Sequence, residues 1–110
     1  METDTQFETG TLPVGIEHNG AVHAEFALRP LTVGDLISAT DDGRSRRNEY
    51  YMSVVLLCRQ ITRLGDIPKE EITPDLLVKM DISDLAALNE ASLNLRKRRE
   101  HFRKREGESS

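Results

Sequence analysis

The sequence LPVGIEHNGAVHAEFALRP, residues 12–30, contains two runs in which apolar and polar residues alternate. Alternation of this kind is typical of β-strands that bury one face and expose the other. The runs are separated by His18-Asn19-Gly20, and an Asn-Gly pair between alternating runs is a strong hairpin signal. The stretch therefore predicts an antiparallel β-hairpin in the N-terminal part of the fold.

The length of the turn decides which residues of the hairpin pair. A two-residue turn at Asn19 and Gly20 pairs Ile16 with His23 and puts the two apolar rows on opposite faces. A three-residue loop, with Gly20 in the left-handed conformation, puts both rows on one face. We therefore predict the three-residue loop, which pairs Leu12 with Phe26, Val14 with Ala24 and Ile16 with Val22. Because an isolated hairpin is marginal in water, helices or the hairpin of another copy must cover this face.

Beyond the hairpin the sequence predicts helices. Pro30 ends the second strand. Thr32-Val33-Gly34-Asp35 is a capping box with Asp in place of the usual Glu, and Thr73-Pro74-Asp75 is a second start signal. The predicted helices run from about Val33 to Thr40, Arg44 to Leu64 and Pro74 to Met80, and Asp81 caps a last one. On the buried face of the second helix we place Tyr50, Val54, Leu57, Cys58, Ile61 and Leu64, with Gly65 as its left-handed C-terminal cap.

The predicted fold class is α+β, with an N-terminal β-hairpin followed by about four α-helices, the last one long and basic at its end. Residues 1–9 are predicted to be a flexible arm and residues 106–110 a disordered tail. Between them, residues 10–105 form a single small domain, divided into the hairpin (10–29) and a helical part (30–105).

Composition argues for a modest core inside a polar shell. Hydrophobic residues make up 37% of the 110 residues, aromatic residues 5% and charged residues 31%, which disfavours an enzyme with an enclosed cleft. The charge is uneven. Residues 1–95 hold eight Lys or Arg against sixteen Asp or Glu, a net charge of −8, whereas residues 96–110 hold seven against three, a net charge of +4. The acidic body therefore argues against nucleic acid wrapped over its surface.

No residue pattern indicates catalysis or a metal site. His18, His23 and His101 have no second ligand at metal-like spacing, so we interpret them as surface histidines. Cys58 lies on the predicted buried face of a helix and is interpreted as a core thiol. We therefore predict no enzyme activity and no cofactor.

The chain is predicted to act in the cytoplasm. The N-terminal METDTQFETG lacks the apolar segment of a signal peptide. The longest apolar run, Val54 to Cys58, is too short to span a bilayer. A single cysteine excludes a disulfide within the chain and suits a reducing compartment.

Two sparse apolar surfaces are candidates for partner binding, one on the hairpin and one along the last helix. Here we place Val14, Ile16, Val22, Phe26, Leu85, Leu88, Leu95, Arg96, Arg99, Phe102 and Arg103. The alternative is that the hairpin face and the helix stripe pack on each other inside one core. The basic run of residues 96–105 is either a solvated helix end that complements the helix dipole or a binding patch for phosphate or an acidic partner.

Several segments of the chain together carry a family resemblance. They are GIEHNG (residues 15–20), LRPLTVGDL (28–36), CRQITRLGDIP (58–68), ITPDLL (72–77) and MDISDL (80–85). In this order and spacing, over about residues 12–95, the chain resembles the Mu-like phage tail assembly chaperones, the E/41/14 group. It departs from their pattern at residues 45–51, and the resemblance does not explain the basic end.

The resemblance implies a chaperone of tail morphogenesis in a bacteriophage or prophage. Such a protein holds the tape-measure protein until tail-tube subunits polymerise around it, acts in the host cell cytoplasm and is not a lasting part of the mature virion. It also implies protein partners, with a homo-oligomer left open. From the short apolar runs and the acidic body we expect no membrane contact and do not expect nucleic acid as a partner. Two alternatives stay open: a nucleic-acid-binding accessory protein that uses Arg96 to Arg105, and a phage protein that sequesters a host regulator.

Overall fold

A computed structural model describes the backbone of residues 7–109 and the side chains of residues 7–101. The predicted α+β class is confirmed. The elements in chain order are β1 (Glu8–His18), β2 (Ala21–Leu28), α1 (Val33–Ala39), α2 (Gly43–Arg47), α3 (Glu49–Gln60), β3 (Ile61–Leu64), a 3-10 turn (Lys69–Glu71), α4 (Pro74–Leu77) and α5 (Ile82–Ser109).

The hairpin turn has two residues, so the predicted three-residue loop is wrong. Asn19 and Gly20 both have positive φ angles, 54° and 84°, as a tight hairpin turn requires. Next to this turn Ile16 pairs with His23. The register that we rejected is therefore the one that forms at the tip.

A β-bulge in β1 removes the conflict that led to the wrong register. Between the pairs Thr11–Glu25 and Ile16–His23, residues 12–15 of β1 lie opposite only Ala24 of β2. Three extra residues are an odd number, so they reverse which face each side chain of β1 takes. The reversal brings Leu12 to the face of Phe26, and Ile16, which follows the bulge, belongs to the buried core as well.

A third strand, β3, pairs antiparallel with β2, and the sheet order is β1-β2-β3. The predicted helix from Arg44 to Leu64 is wrong at its C-terminal end, because the helix stops at Gln60 and residues 61–64 form β3. Ile61 and Leu64 are fully buried whereas the two residues between them are exposed. Their spacing of three fits a helix, but a second irregularity, opposite Ala27 and Leu28 of β2, allows the same spacing in a strand. Gly65 has a positive φ of 55°, but it follows a strand and not a helix.

The same predicted helix is also divided at Asn48. This residue has extended backbone angles, φ −147° and ψ 111°, and its side chain accepts hydrogen bonds from the backbone N–H groups of Tyr50 and Tyr51. Asn48 therefore ends α2 and caps α3, because an Asn side chain at this position satisfies N–H groups that the first turn leaves free.

The predicted start signals of α1 and α4 are confirmed. Thr32 and Asp35 form the reciprocal capping box of α1. Arg29 binds both carboxylate oxygens of Asp35 at 2.8 Å, which fixes the end of β2 to the start of α1. Thr73 caps α4, with Pro74 at its first position, but α4 ends at Leu77 and not at Met80.

The core lies between the sheet and α5, which packs across β1. Leu88 and Ala91 of α5 join one cluster with apolar residues of β1, β2 and β3. Asp84 is fully buried in this layer. Its two carboxylate oxygens accept hydrogen bonds from the backbone N–H groups of Val14 and Gly15, at 2.8 and 2.9 Å. The bulge of β1 is therefore satisfied by a carboxylate from the other half of the chain.

The predicted division into arm, domain and tail stays a prediction. Residues 1–6 of the arm and Ser110 of the tail lie outside the described residues. The arm's last two residues, Glu8 and Thr9, belong to β1, and α5 continues to Ser109.

Candidate functional site

Four of the predicted partner-binding residues are buried within this chain. Ile16 and Phe26 of the hairpin and Leu88 and Leu95 of α5 have exposed fractions of 5% or less. The hairpin face and the helix stripe therefore pack on each other, which was the alternative to a partner surface. While the chain keeps this fold, these four side chains offer no apolar surface to a partner.

The other members of the predicted set do not form one surface. Val14 and Val22 are exposed on the hairpin, and Leu85 lies in a groove described below. Arg96 and Arg99 are exposed on α5. The side chains of Phe102 and Arg103 lie outside the described residues.

An apolar groove lies where the start of α3 meets α4 and the start of α5, and we call it the α3–α5 groove. Its floor is formed by the buried Val54 and Leu77. Three large apolar side chains on its rim remain exposed, Tyr50 by 74%, Val78 by 52% and Ile82 by 78%. The full lining comprises Asn48, Tyr50, Tyr51, Val54, Leu77, Val78, Met80, Ile82 and Leu85.

Helix caps hold the rim of the groove in place. Asp81 accepts hydrogen bonds from the backbone N–H of Ser83, at 2.9 Å, and from its hydroxyl, at 2.6 Å. These hydrogen bonds from Ser83 lower the pKa of Asp81, so it stays ionised at the positive end of α5. Because α5 begins directly after this cap, Ile82 sits in its first turn, where it is left exposed.

Tyr51, one of the residues that line the groove, makes a cation–π contact with Arg44. The guanidinium of Arg44 lies 4.4 Å from the centre of the Tyr51 ring. It is also within ion-pair distance of Asp42 and Asp75. This arrangement links α2 to α3 and α4 beside the groove.

A second exposed apolar surface lies on α1, and we call it the α1 stripe. Val33, Leu36 and Ile37 occupy positions i, i+3 and i+4, and all three are exposed. Asp35 and Ala39 on the opposite side are buried. The α1 stripe therefore has the pattern of a helix face that packs against a hydrophobic core. Among the described residues, however, no other part of the chain covers it.

The end of α5 is basic, and only part of it is tied to the body. Arg98 donates hydrogen bonds to the carboxylate of Glu8 and to the backbone oxygen of Phe7. Arg96, Lys97 and Arg99 are exposed. Among the described residues no carboxylate forms an ion pair with these three.

Groups that often carry chemistry have structural contacts here. The Sγ atom of Cys58 donates to the backbone oxygen of Ile72 at 2.9 Å, and burial raises the pKa of this thiol. A raised pKa leaves less of the nucleophilic thiolate at neutral pH. The ring of His18 lies 2.6 Å from the carboxylate of Glu71, and His23 accepts the backbone N–H of Asp66.

Two kinds of feature are absent from the described part of the chain. It holds no group of three or more His, Cys, Asp or Glu residues arranged to bind a metal. None of its helices combines the length and the apolar character that crossing a membrane requires.

Sequence reasoning missed the α3–α5 groove because it assigned Tyr50 to a buried face and gave Val78 and Ile82 no role. The spacing of Val33, Leu36 and Ile37 was a visible signal for the α1 stripe. It was not used, because apolar spacing in a short helix ordinarily indicates core.

Comparison with known proteins relates the chain to a family. The family model described as "Phage tail assembly chaperone proteins, E, or 41 or 14" matches residues 9–94. Neither the curated proteins nor the solved structures contain a match to the chain. The matched range begins in β1 and ends within α5, at residue 94. It therefore reaches every element that contributes to the core, and it stops just before the basic residues that begin at Arg96. The chain belongs to the family of phage tail assembly chaperone proteins E, 41 or 14.

Proposed function

We propose that the chain binds amphipathic helical segments of the tape-measure protein and keeps them soluble until tail-tube subunits assemble around them. We place this activity in the cytoplasm of the host cell, before the mature virion forms, and assign the chain no catalytic role. Membership of the family supports a role in tail assembly as a chaperone. The tape measure as the bound partner is the step that we add.

The α3–α5 groove is the observation that carries the proposal. Single exposed apolar residues are common on protein surfaces, but adjacent ones around a concave floor mark interaction sites. Tyr50, Val78 and Ile82 surround a floor of buried apolar side chains. Such a groove accepts the apolar face of an amphipathic helix, with anchor residues spaced by three or four.

The α1 stripe adds a second contact of the same chemistry. Val33, Leu36 and Ile37 are exposed on one helix face, and they suit another apolar segment of a long partner. Two weak contacts on one chaperone, repeated over many copies, hold a long partner by avidity. Each contact still dissociates readily, so tail-tube subunits can displace the chaperones one at a time.

The charge of the body suits this role. Residues 1–95 carry a net charge of −8, and a partner coated with such bodies gains mutual repulsion between coated molecules. Apolar segments that would otherwise associate are then both covered and kept apart.

The test is co-expression with the tape-measure protein of the same phage, followed by size-exclusion chromatography of the soluble fraction. A groove variant, Val78→Gln with Ile82→Gln, removes apolar surface from exposed positions only. A matched hairpin variant, Val14→Gln with Val22→Gln, does the same on residues that the sequence alone suggested. We expect wild-type protein and the hairpin variant to co-elute with soluble tape measure, and the groove variant to leave it in the pellet.

Three results would contradict the proposal. If the groove variant, folded by circular dichroism, solubilises the tape measure as well as wild type does, the groove does not bind it. If instead only the hairpin variant fails, the binding surface lies on the hairpin. If the tape-measure protein is equally soluble without the chain, the proposed function is wrong.

A further inference from the structure

The direction of α5 gives the molecule two different ends. Asp84 in the first turn of α5 contacts the bulge of β1, whereas Arg98 contacts the start of β1. The helix therefore runs antiparallel to β1, and its last part leads away from the hairpin tip at Asn19 and Gly20. The molecule is elongated, with principal extents of 51 × 31 × 23 Å.

The end of α5 forms a basic pole. Residues 96–105 include seven Lys or Arg and one Glu. Arg96, Lys97 and Arg99 are exposed, and Arg98 is held by Glu8 of the same chain. Leu95 is the last buried apolar residue of α5 among those whose side chains are described. Among residues 96–101, whose side chains are described, there is no apolar residue.

The hairpin tip forms an acidic pole. Two contacts place Glu71 and Asp66 beside the tip: the Glu71 carboxylate lies 2.6 Å from His18, and the backbone N–H of Asp66 donates to His23 at 3.1 Å. Glu17 precedes His18 and Glu70 precedes Glu71, and all four acidic residues are exposed. Lys69 does not neutralise these carboxylates. Its ammonium donates instead to the backbone oxygens of Cys58 and Ile61, at 3.0 and 2.5 Å.

We infer that the basic pole of one copy docks on the acidic pole of another copy, so that the chaperones associate head to tail. The two poles are complementary in charge and lie at opposite ends of one molecule, so a chain cannot bring its own poles together. A contact between two different surfaces of identical copies is heterologous, and it continues in a row unless the rotation happens to close a ring. The inference does not depend on the proposed tape-measure contact.

A nucleic acid is the less suitable occupant of the basic pole. Phosphate binding by a short basic helix would bring a body of net charge −8 close to a polyanion, and this repulsion opposes the contact. The acidic pole of a second copy, in contrast, is present at the same concentration as the basic pole itself.

The contact should be weak and sensitive to salt. Its charges are exposed at both poles, and exposed ion pairs are screened within about 10 Å at 0.1 M salt. Sedimentation velocity at about 50 mM and about 500 mM NaCl therefore provides the test. We expect the wild-type chain to associate in a concentration-dependent manner at the lower salt concentration and to be monomeric at the higher one.

Charge reversal identifies the surfaces. The basic-pole variant is Arg96→Glu with Arg99→Glu, and the acidic-pole variant is Glu17→Lys with Glu70→Lys. Each variant alone is expected to associate about tenfold more weakly than wild type. An equimolar mixture of the two should associate again, because the acidic poles of one variant meet the basic poles of the other.

A matched control changes the same number of charges between the poles. Glu25→Lys with Glu90→Lys alters two exposed acidic residues, one in the middle of β2 and one in α5. The Glu25 change also removes an exposed ion pair with Arg63, whose contribution to stability is small. This control should associate as wild type does. Every substituted side chain is exposed, so we expect the wild-type chain and all three variants to be folded. Circular dichroism checks this.

Three results would overturn the inference. The first is a wild-type chain that stays monomeric at low salt over the accessible concentrations. The second is a pair of pole variants that associate like wild type, or a mixture that does not regain association. The third is tight binding of a single-stranded oligonucleotide at physiological salt, lost in the basic-pole variant, by a chain that does not self-associate.

Discussion

The hairpin with α5 and the helical part from α1 to α4 use their apolar residues differently. In the first region the large apolar side chains Leu12, Ile16 and Phe26 are buried against α5. In the second region whole apolar faces stay exposed, namely the α1 stripe and the rim of the α3–α5 groove. The difference teaches that the most regular apolar pattern in this sequence holds the fold together, whereas the exposed apolar surface lies in short helices whose pattern looks ordinary.

The largest effect is expected at the contact that joins the two halves of the chain. Replacing Asp84 with Ala leaves the backbone N–H groups of Val14 and Gly15 without an acceptor in a buried site. Two lost hydrogen bonds to a buried carboxylate cost about 4 kcal/mol of unfolding free energy. Urea denaturation monitored by circular dichroism measures this loss.

Glu90→Ala is the matched control for Asp84→Ala. Glu90 lies on the exposed side of the same helix, so its removal should change stability by less than about 0.5 kcal/mol. If Asp84→Ala lost less than about 1 kcal/mol, the bulge would be stable without its carboxylate. The hairpin would then not depend on α5 for its stability, and the contrast between the two regions would be contradicted.

An intermediate effect is expected at Asp35, where the two regions meet. Hydrogen bonds from the Arg29 guanidinium hold the pKa of this carboxyl far below its ordinary value, against the opposing effect of burial, and hydrogen bonds from Thr32 add to the shift. A carboxyl whose pKa is lower in the folded state stabilises the fold above its unfolded pKa, near pH 4. That stabilisation is lost as pH falls through the folded value.

The pH dependence can be isolated by comparing wild type with Asp35→Asn. We expect the variant to be about 2 kcal/mol less stable at pH 7, because it loses a charged pair with two hydrogen bonds. The difference should shrink as pH falls below about 4. Thermal unfolding at several pH values measures it. A difference that grew on acidification would show that Asp35 is not held ionised in the folded chain.

The smallest effect on stability is expected in the α1 stripe. Leu36→Gln with Ile37→Gln changes two exposed apolar residues, and Gln is an adequate helix former. The unfolding free energy should therefore change by less than about 0.5 kcal/mol. The same measurement on Leu88→Ala, a fully buried residue, should show a loss of about 3 kcal/mol. A loss above about 1.5 kcal/mol for the stripe variant would place the stripe in the core and not on a working surface.

Local signals in the sequence predicted local structure well. The capping box at Thr32 and Asp35, the start of α4 at Pro74 and the cap of α5 at Asp81 all form. Each depends on residues within a few positions of one another, so one segment contains all the information needed. The Asn-Gly turn also forms, but its register does not follow from the turn alone.

Features that depend on distant residues were not predicted. The bulge of β1 needs Asp84, about seventy residues along the chain, and no periodicity within the hairpin reveals it. The strand β3 was mistaken for helix because Ile61 and Leu64 are spaced by three and follow a true helix. The α3–α5 groove was missed for a similar reason. Which apolar side chains remain exposed is decided by how the elements pack on one another, and not by the spacing of those side chains themselves.

The dependence of the β1 bulge on Asp84 also has a consequence during synthesis. The hairpin is translated first, yet the acceptor that selects its register arrives only with α5. Until then we expect the strand beyond the turn to pair in more than one way, because the backbone N–H groups of Val14 and Gly15 lack their acceptor. We therefore expect the register to be fixed late, by a contact between distant parts of the chain, and such contacts slow folding. Until α5 has been synthesised, the apolar side chains of the hairpin lack the helix that buries them in the folded chain.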